Sequence, residues 1–286
     1  MQACADRWNL PVVERPPGPH HLAFGAFLGV MALGLLIAGA WLYASVYAVL
    51  LGVMLALVHR GTRDELFFLI AMNIAFPLMR GAVPVIRARR YDDLLLSIDH
   101  RLTGTYVSVW AERFVTFAVT ELMSVCYILF FPLLCFSLLR YFLRHKERLG
   151  RFYSGLFTIY GVGFLGYLLV PAAGPYLAFP ELFTVPIVGG PVTHLNQMLV
   201  TAGSNRVDVF PSLHCAVSGY ILGFSFRYQR REFWLLLLPI CGLWLATIYP
   251  RYHYLVDVLF GLALSGVGLA IAMRRIPSVQ GRLACN

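Results

Sequence analysis

Two histidines and one aspartate carry the most chemistry in this chain. His253 and Asp257 are four residues apart, so on a helix they share one face, and Asp257 falls in an otherwise apolar run. An acid in such a run is costly to bury and usually has a partner. A carboxylate holding one imidazole nitrogen fixes the tautomer and leaves the other nitrogen free as nucleophile or metal ligand. A buried structural His–Asp pair is the plain alternative. The second histidine is His214, in Phe210-Pro211-Ser212-Leu213-His214-Cys215. Pro211 and Ser212 suit a helix start, which sets His214 in the first turn. Backbone N–H groups and the positive dipole end gather there, and phosphate is the natural guest. Ser212 and Leu213 are therefore candidate phosphate-binding positions. A metal would need a third ligand, from His194 or His214, and the chain has no HExxH arrangement and no CxxC pair. No metal and no cofactor is expected.

The elements that must position these residues belong to a membrane. Of 286 residues, 59 % are apolar and 13 % charged, and the mean hydropathy is +0.72. A soluble chain of this size carries roughly twice that charge, and disorder needs low hydrophobicity. The expected class is all-α, a polytopic membrane helix bundle. Residues 22–58 are apolar almost throughout, about twice the ~20 residues of one crossing. They read as a tight helix pair turning near residues 39–41. Further spans are expected near 65–84, 112–139, 153–170, 211–226, 233–249 and 254–273. That makes eight spans, or seven if the first pair is one helix. Residues 1–64 read as an N-terminal tail and hairpin, and 65–286 as a catalytic membrane domain. The first 22 residues are polar and Pro-rich and lack the form of a cleavable signal peptide.

The net charge is +9, and Lys146 is the only lysine among 23 basic residues. The charge sits in short blocks between apolar runs, around Arg140–Arg151 and Arg227–Arg231, which suits juxtamembrane anchoring rather than nucleic acid. With eight spans these blocks and both termini share one side, the cytoplasm by the positive-inside rule. His214 and His253 then lie at the outer interface of a bacterial inner membrane. Residues 91–109 mix Asp92, Asp93 and Asp99 with leucines and read as an interfacial amphipathic helix. The arginines at 87, 89, 90 and 101 beside it are either a solvated face or part of an anionic-substrate site. The prolines and glycine of Pro171-Ala172-Ala173-Gly174-Pro175 open an outer loop over 171–210 with no obvious internal structure. The six cysteines form no ligand cluster and read as packing residues.

Pro211-Ser212-Leu213-His214, with His253-Tyr254 followed by Asp257-Val258 and Gly261, resembles the paired motifs of the type 2 phosphatidic acid phosphatase (PAP2) superfamily. The Phe210-Pro211-Ser212-Leu213-His214 run and the Pro171–Pro175 segment are similar to the branch that contains inositol phosphorylceramide synthase and its bacterial relatives. The resemblance covers roughly residues 110–273 and implies a six-helix core. It implies His253 as nucleophile, Asp257 as its orienting acid and His214 as general acid. Two departures bear on phosphate binding. The family's arginine six residues before the nucleophile is Thr247 here, and its basic first motif is missing. Arg251 is the first replacement candidate and Arg206 the second. Arg80 and the cluster from Arg87 are weaker, with Arg87 and Tyr176 candidates for substrate entry or headgroup contact.

The implied chemistry is a metal-independent phosphohistidine cycle in which imidazole splits a phosphoester transfer into two steps. Water as second acceptor gives a lipid or polyprenyl phosphatase. An alcohol gives a phosphotransferase that moves a phospho-headgroup. The partners are a membrane lipid with a phosphate headgroup and, for the transferase, an alcohol acceptor; the oligomeric state is not legible. A proton-coupled transporter is the reading of another class, since intramembrane His and Asp also carry protons. The chain shows no inverted repeat that would favour it.

Overall fold

The computed structural model describes residues 17–62 and 64–274. Arg63, Arg275, Arg282, Cys4 and Cys285, and most of the Pro-rich start, fall outside these residues. The chain is helical: α1 (Pro19–Ile37), α2 (Trp41–His59), α3 (Glu65–Ile86), α4 (Asp92–Thr103), α5 (Val107–Trp110), α6 (Phe117–Ile128), α7 (Phe130–Arg144), α8 (Lys146–Leu169), α9 (Pro175–Ala178), α10 (Pro191–Gly203), α11 (Leu213–Tyr228), α12 (Arg230–Ile248) and α13 (Leu255–Met273). Among the described residues the only β pairing is one isolated bridge, Ala172 to Asp208.

Among the described residues, seven helical segments are long and apolar enough to cross a membrane: α1, α2, α3, the α6–α7 pair, α8, α12 and α13. With 16 residues, α11 is shorter, about 24 Å at 1.5 Å per residue, and lies buried among the others. The expected eight spans therefore stand as seven long helices and one short internal one. The protein is a polytopic membrane helix bundle. The first pair turns at Gly39, whose φ of +75° suits a glycine, between the end of α1 and the start of α2. The α6–α7 pair breaks at Leu129. Pro132 has no N–H to give the carbonyl four residues earlier, at Ile128, which accounts for a break there.

The most buried long helix is α8, packed against α1, α3, α7, α11 and α13. Small residues allow this, as expected where lipid removes the hydrophobic drive between helices and close van der Waals packing takes over. A Cβ on Gly161 would stand 2.6 Å from the backbone N of Phe24 in α1. One on Gly155 would stand 2.6 Å from the carbonyl O of Gly268 in α13.

Two expectations about the non-spanning segments need correction. The interfacial helix at 91–109 is two pieces: α4 stops at Gly104, in the left-handed region at φ +72°, and a new turn starts at Val107. The 171–210 loop has internal structure, since α9 and the 13-residue α10 occupy much of it. Pro191 at the first turn of α10 and Glu121 of α6 start that helix; the Glu121 carboxylate accepts N–H bonds from Gly190 (2.8 Å), Val192 (3.3 Å) and Thr193 (2.8 Å). The cap comes from some 70 residues away, where no local pattern reveals it.

Candidate active site

Two helix starts meet at one end of the bundle. Ser212 caps α11, its hydroxyl accepting the Cys215 N–H at 3.4 Å, and its own N–H donates to the Asp257 carbonyl of α13 at 3.0 Å. The helices touch so closely that a Cβ on Gly261 would stand 2.4 Å from the Ser212 carbonyl O. This contact sets the register of His214 against His253 and Asp257.

His253 Nδ1 lies 3.0 Å from Asp257 Oδ2, and both residues are buried. The spacing holds, but not because both residues sit on one helix. Asp257 is in the first turn of α13, whereas His253 precedes it, in a segment fixed by a His253 N–H bond to the Thr247 carbonyl at 3.0 Å. The other ring nitrogen of His253 is free to face a guest. The His214 ring lies 5.6 Å from the His253 ring, centre to centre, and packs against Tyr127 and Phe130 at 4.8 and 4.5 Å.

Two carboxylates of α4 hold this arrangement from outside the bundle. Asp99 accepts the N–H groups of Leu255 (2.7 Å) and Val256 (2.8 Å), capping α13 between His253 and Asp257. Asp92 accepts the N–H groups of Ala173 and Gly174 and the Tyr254 hydroxyl at 2.9 to 3.0 Å. Burial raises the pKa of both acids above the ordinary carboxylate value, against the pull of these donors. The two residues are seven apart, hence on one helical face. That pattern is visible in the sequence; what they cap is not.

The predicted site residues divide into two groups. His214, His253, Leu213 and Tyr176 line a common cavity of about 360 Å³. Asp257 and Ser212 stand directly behind it, fully buried. The arginines Arg80, Arg87, Arg206 and Arg251 are not among the residues lining it. Arg251, with φ +68°, pairs with Glu112 at 2.9 Å, donates to the Val185 carbonyl and stacks over Phe183 at 4.1 Å. Burial lowers its pKa from the ordinary arginine value. Its carbonyl accepts the Tyr176 N–H at 3.0 Å, so this arginine clamps the outer loop to the His253 segment. Arg206 is exposed with φ +59°, Arg80 is exposed, and Arg87 lies over the Tyr91 ring at 5.2 Å. His194, the other conceivable metal ligand, is exposed on α10.

The cavity has a polar inner end and an apolar outer one. Asp208, Asn196, Ser204, Tyr176 and Tyr252 stand near the histidines. Leu69, Met72, Phe76, Phe131, Leu134 and Leu138, with Asn73 as a polar exception, line the part between α3 and α7. Phe131 is 55 % exposed on the outside of the bundle, so the cavity reaches the lipid-facing surface. Asp208 and Asn196 were not singled out by the motifs, although Asp208 lies only six residues before His214.

A second group of titratable residues gathers at the opposite end: His20, His21 and Asp64. His21 Nδ1 accepts the Gly18 N–H at 2.9 Å, which places the proton on Nε2, pointed at Asp64. With both nitrogens so committed, the group is a hydrogen-bonded clasp between α1 and the start of α3.

The PAP2 superfamily model matches residues 94–271, from within α4 to near the end of α13. The phosphoinositol dihydroceramide synthase of Bacteroides thetaiotaomicron is 27 % identical over 168 residues, covering 53 % of this chain and 55 % of that protein. The chain thus spans about half the length of this curated relative. No solved structure matches.

Proposed function

The chain belongs to the PAP2 superfamily, and we propose that it is a membrane enzyme that acts on a lipid phosphate group through a phosphohistidine on His253. The observation that carries this is the meeting of His214 with the His253–Asp257 pair at the inner end of a cavity whose other end opens to lipid. The lipid chain lies along the apolar wall between α3 and α7, and the phosphate reaches the histidines. Asp257 holds Nδ1, so the free nitrogen of His253 attacks phosphorus while the bond to the lipid oxygen breaks. Protonated His214 gives its proton to that oxygen, then takes one from the incoming acceptor. The N–H groups of the first turn of α11, from Leu213, meet the phosphate oxygens. Arg206 supplies charge from the loop, and Arg251 acts by holding the loop.

The acceptor is water in the first reading, which makes the protein a metal-independent lipid phosphatase. A phosphotransferase reading is favoured by the relative named a synthase. The site faces the extracytoplasmic side in both readings, because the basic blocks at 140–151 and 227–231 lie at the opposite end.

The test is incubation of the purified protein in lipid with a panel of phosphorus-labelled lipid phosphates and phospholipids. An acid-labile phosphoenzyme is expected, absent in His253→Ala. Label that persists in that variant overturns the assignment. Activity lost to a chelator and restored by Mg²⁺ overturns the metal-free cycle. Inorganic phosphate as product supports the phosphatase, and a new lipid ester the transferase.

A further inference from the structure

The arginines at 87, 89 and 90 have no part in the chemistry above. None of them lines the cavity. Arg87 stands eleven residues past Phe76, the last residue of α3 on the cavity wall, about 16 Å further along at 1.5 Å per residue. The three also run against the charge pattern of the chain. Tyr91 donates its N–H to the Pro171 carbonyl at 2.9 Å, just past the end of α8, whereas the basic block at Lys146 opens the other end of α8. The arm therefore sits at the His253 end of the bundle, away from the side on which basic residues collect.

The backbone is extended at Arg87 (φ −143°, ψ 94°). Residues 87, 89 and 91 are spaced by two, so on an extended stretch their side chains share one side. Both guanidinium carbons lie over the Tyr91 ring, 5.2 and 5.3 Å from its centre. The ring face attracts them but brings no net negative charge. Among the described residues none of Arg87, Arg89 and Arg90 has a carboxylate within ion-pair distance. Asp92 is buried and committed to N–H and O–H donors, which leaves Asp93 as the exposed acid next along the chain. Two guanidinium groups gathered on one ring without a counter-ion suit a phosphate or sulfonate. Val85 precedes them on α3 at 46 % exposed, and Leu94 follows on α4 at 48 %. Charge flanked by exposed apolar side chains matches a lipid headgroup over its acyl chains.

We propose that Arg87, Arg89 and Tyr91 seat one anionic phospholipid of the surrounding bilayer that is not turned over, and that this lipid braces α4. Tyr91 is the N-cap of α4, so arm and helix are continuous. Asp92 and Asp99 of that helix hold Tyr254, Leu255 and Val256, the three residues between His253 and Asp257. A guest on the arm limits the motion of α4, and with it the fraying of the first turn of α13. The site is independent of the reading of His253, since it requires no reaction.

The experiment places the full chain in phosphatidylcholine nanodiscs that hold a photoactivatable lipid with a sulfonate headgroup, which offers no phosphorus to His253. Cross-links are mapped by mass spectrometry. They are expected over residues 85–94, and also at the basic block 227–231, which serves as internal reference. An interfacial arginine contributes a factor of about five to anionic-lipid binding. Arg87→Gln combined with Arg89→Gln should therefore lower the signal over 85–94 about 25-fold against the reference. A change of less than about threefold, or an equal signal from a choline-headed probe, identifies an ordinary solvated face and overturns the site. Bracing is read from hydrogen exchange at the Leu255 and Val256 amides, expected to slow when the sulfonate lipid is added to the natural chain and not in the double variant. Cross-linking without that slowing overturns the bracing. If the double variant is misfolded, exchange rises along α8 as well, and Arg89→Gln alone carries the test with an expected loss of about fivefold. Turnover of labelled lipid phosphates is assayed separately; its absence counts against His253 and leaves both readouts in force.

Discussion

Two regions of this molecule are held together by different physics. Around α1, α2 and α8 the contacts are rings and glycines: Phe68 stacks on Phe157 at 4.8 Å, Phe27 meets Phe164 edge-on at 5.2 Å, and Gly161 lets α1 approach α8. Around the histidines the contacts are carboxylates on N–H groups: Asp92, Asp99, Glu112 and Glu121 each fasten a loop or a helix start. Ring packing is summed over many weak contacts and tolerates replacement by a side chain of similar size. A charge-assisted hydrogen bond is directional and fixes an atom to within tenths of an ångström. The hairpin therefore needs only to fill space, whereas the site needs particular oxygens in particular places.

This contrast can be tested by activity and stability measured side by side. The largest effect is expected from Asp257→Asn, which keeps the shape but loses the negative charge and can turn an N–H donor toward Nδ1, so that the His253 tautomer is no longer fixed. Turnover should fall on the order of 10³- to 10⁴-fold with the melting temperature in detergent little changed. A fall under tenfold would move Asp257 to the structural side of the comparison. Next comes Asp99→Ala, remote from the reacting atoms but capping α13. Losses of about 10- to 100-fold in kcat are expected, as for other groups that orient a functional side chain through one intermediate. A variant that melts lower yet keeps its kcat would show that the α4 clasp belongs with ordinary packing. Gly261→Val should act similarly by parting α11 from α13, with loss of both activity and stability. The smallest catalytic effect is expected from Phe27→Leu, which removes a fully buried ring edge from the hairpin. Stability should drop by about 1 kcal/mol with kcat within about twofold, followed by thermal unfolding and single-turnover assays.

The contrast also decides what could be read in advance. The spans were legible because lipid demands long apolar runs, and the turn at Gly39 because glycine permits its positive φ. Ser212 as a helix start and the His253–Asp257 contact were legible because caps and four-residue spacings are local. The helix carrying that contact starts later than the spacing implied, since Tyr254 is the N-cap. The α10 helix was hidden by the Pro and Gly residues upstream of it and by a cap supplied from α6. Arg251 has the composition of a phosphate ligand, but Glu112, 139 residues away, engages its guanidinium.

The carboxylate clasps have one further consequence. Asp92, Asp99 and Glu121 grip neutral N–H and O–H donors, not cations. Dissolved ions weaken attraction between opposite charges within a Debye length of about 8 Å in physiological salt, but they compete poorly with a neutral donor already enclosed by protein. Ionic strength therefore has little hold on the geometry around His253, and a change in the surrounding electrolyte acts first on the approach of a charged lipid rather than on the site that receives it.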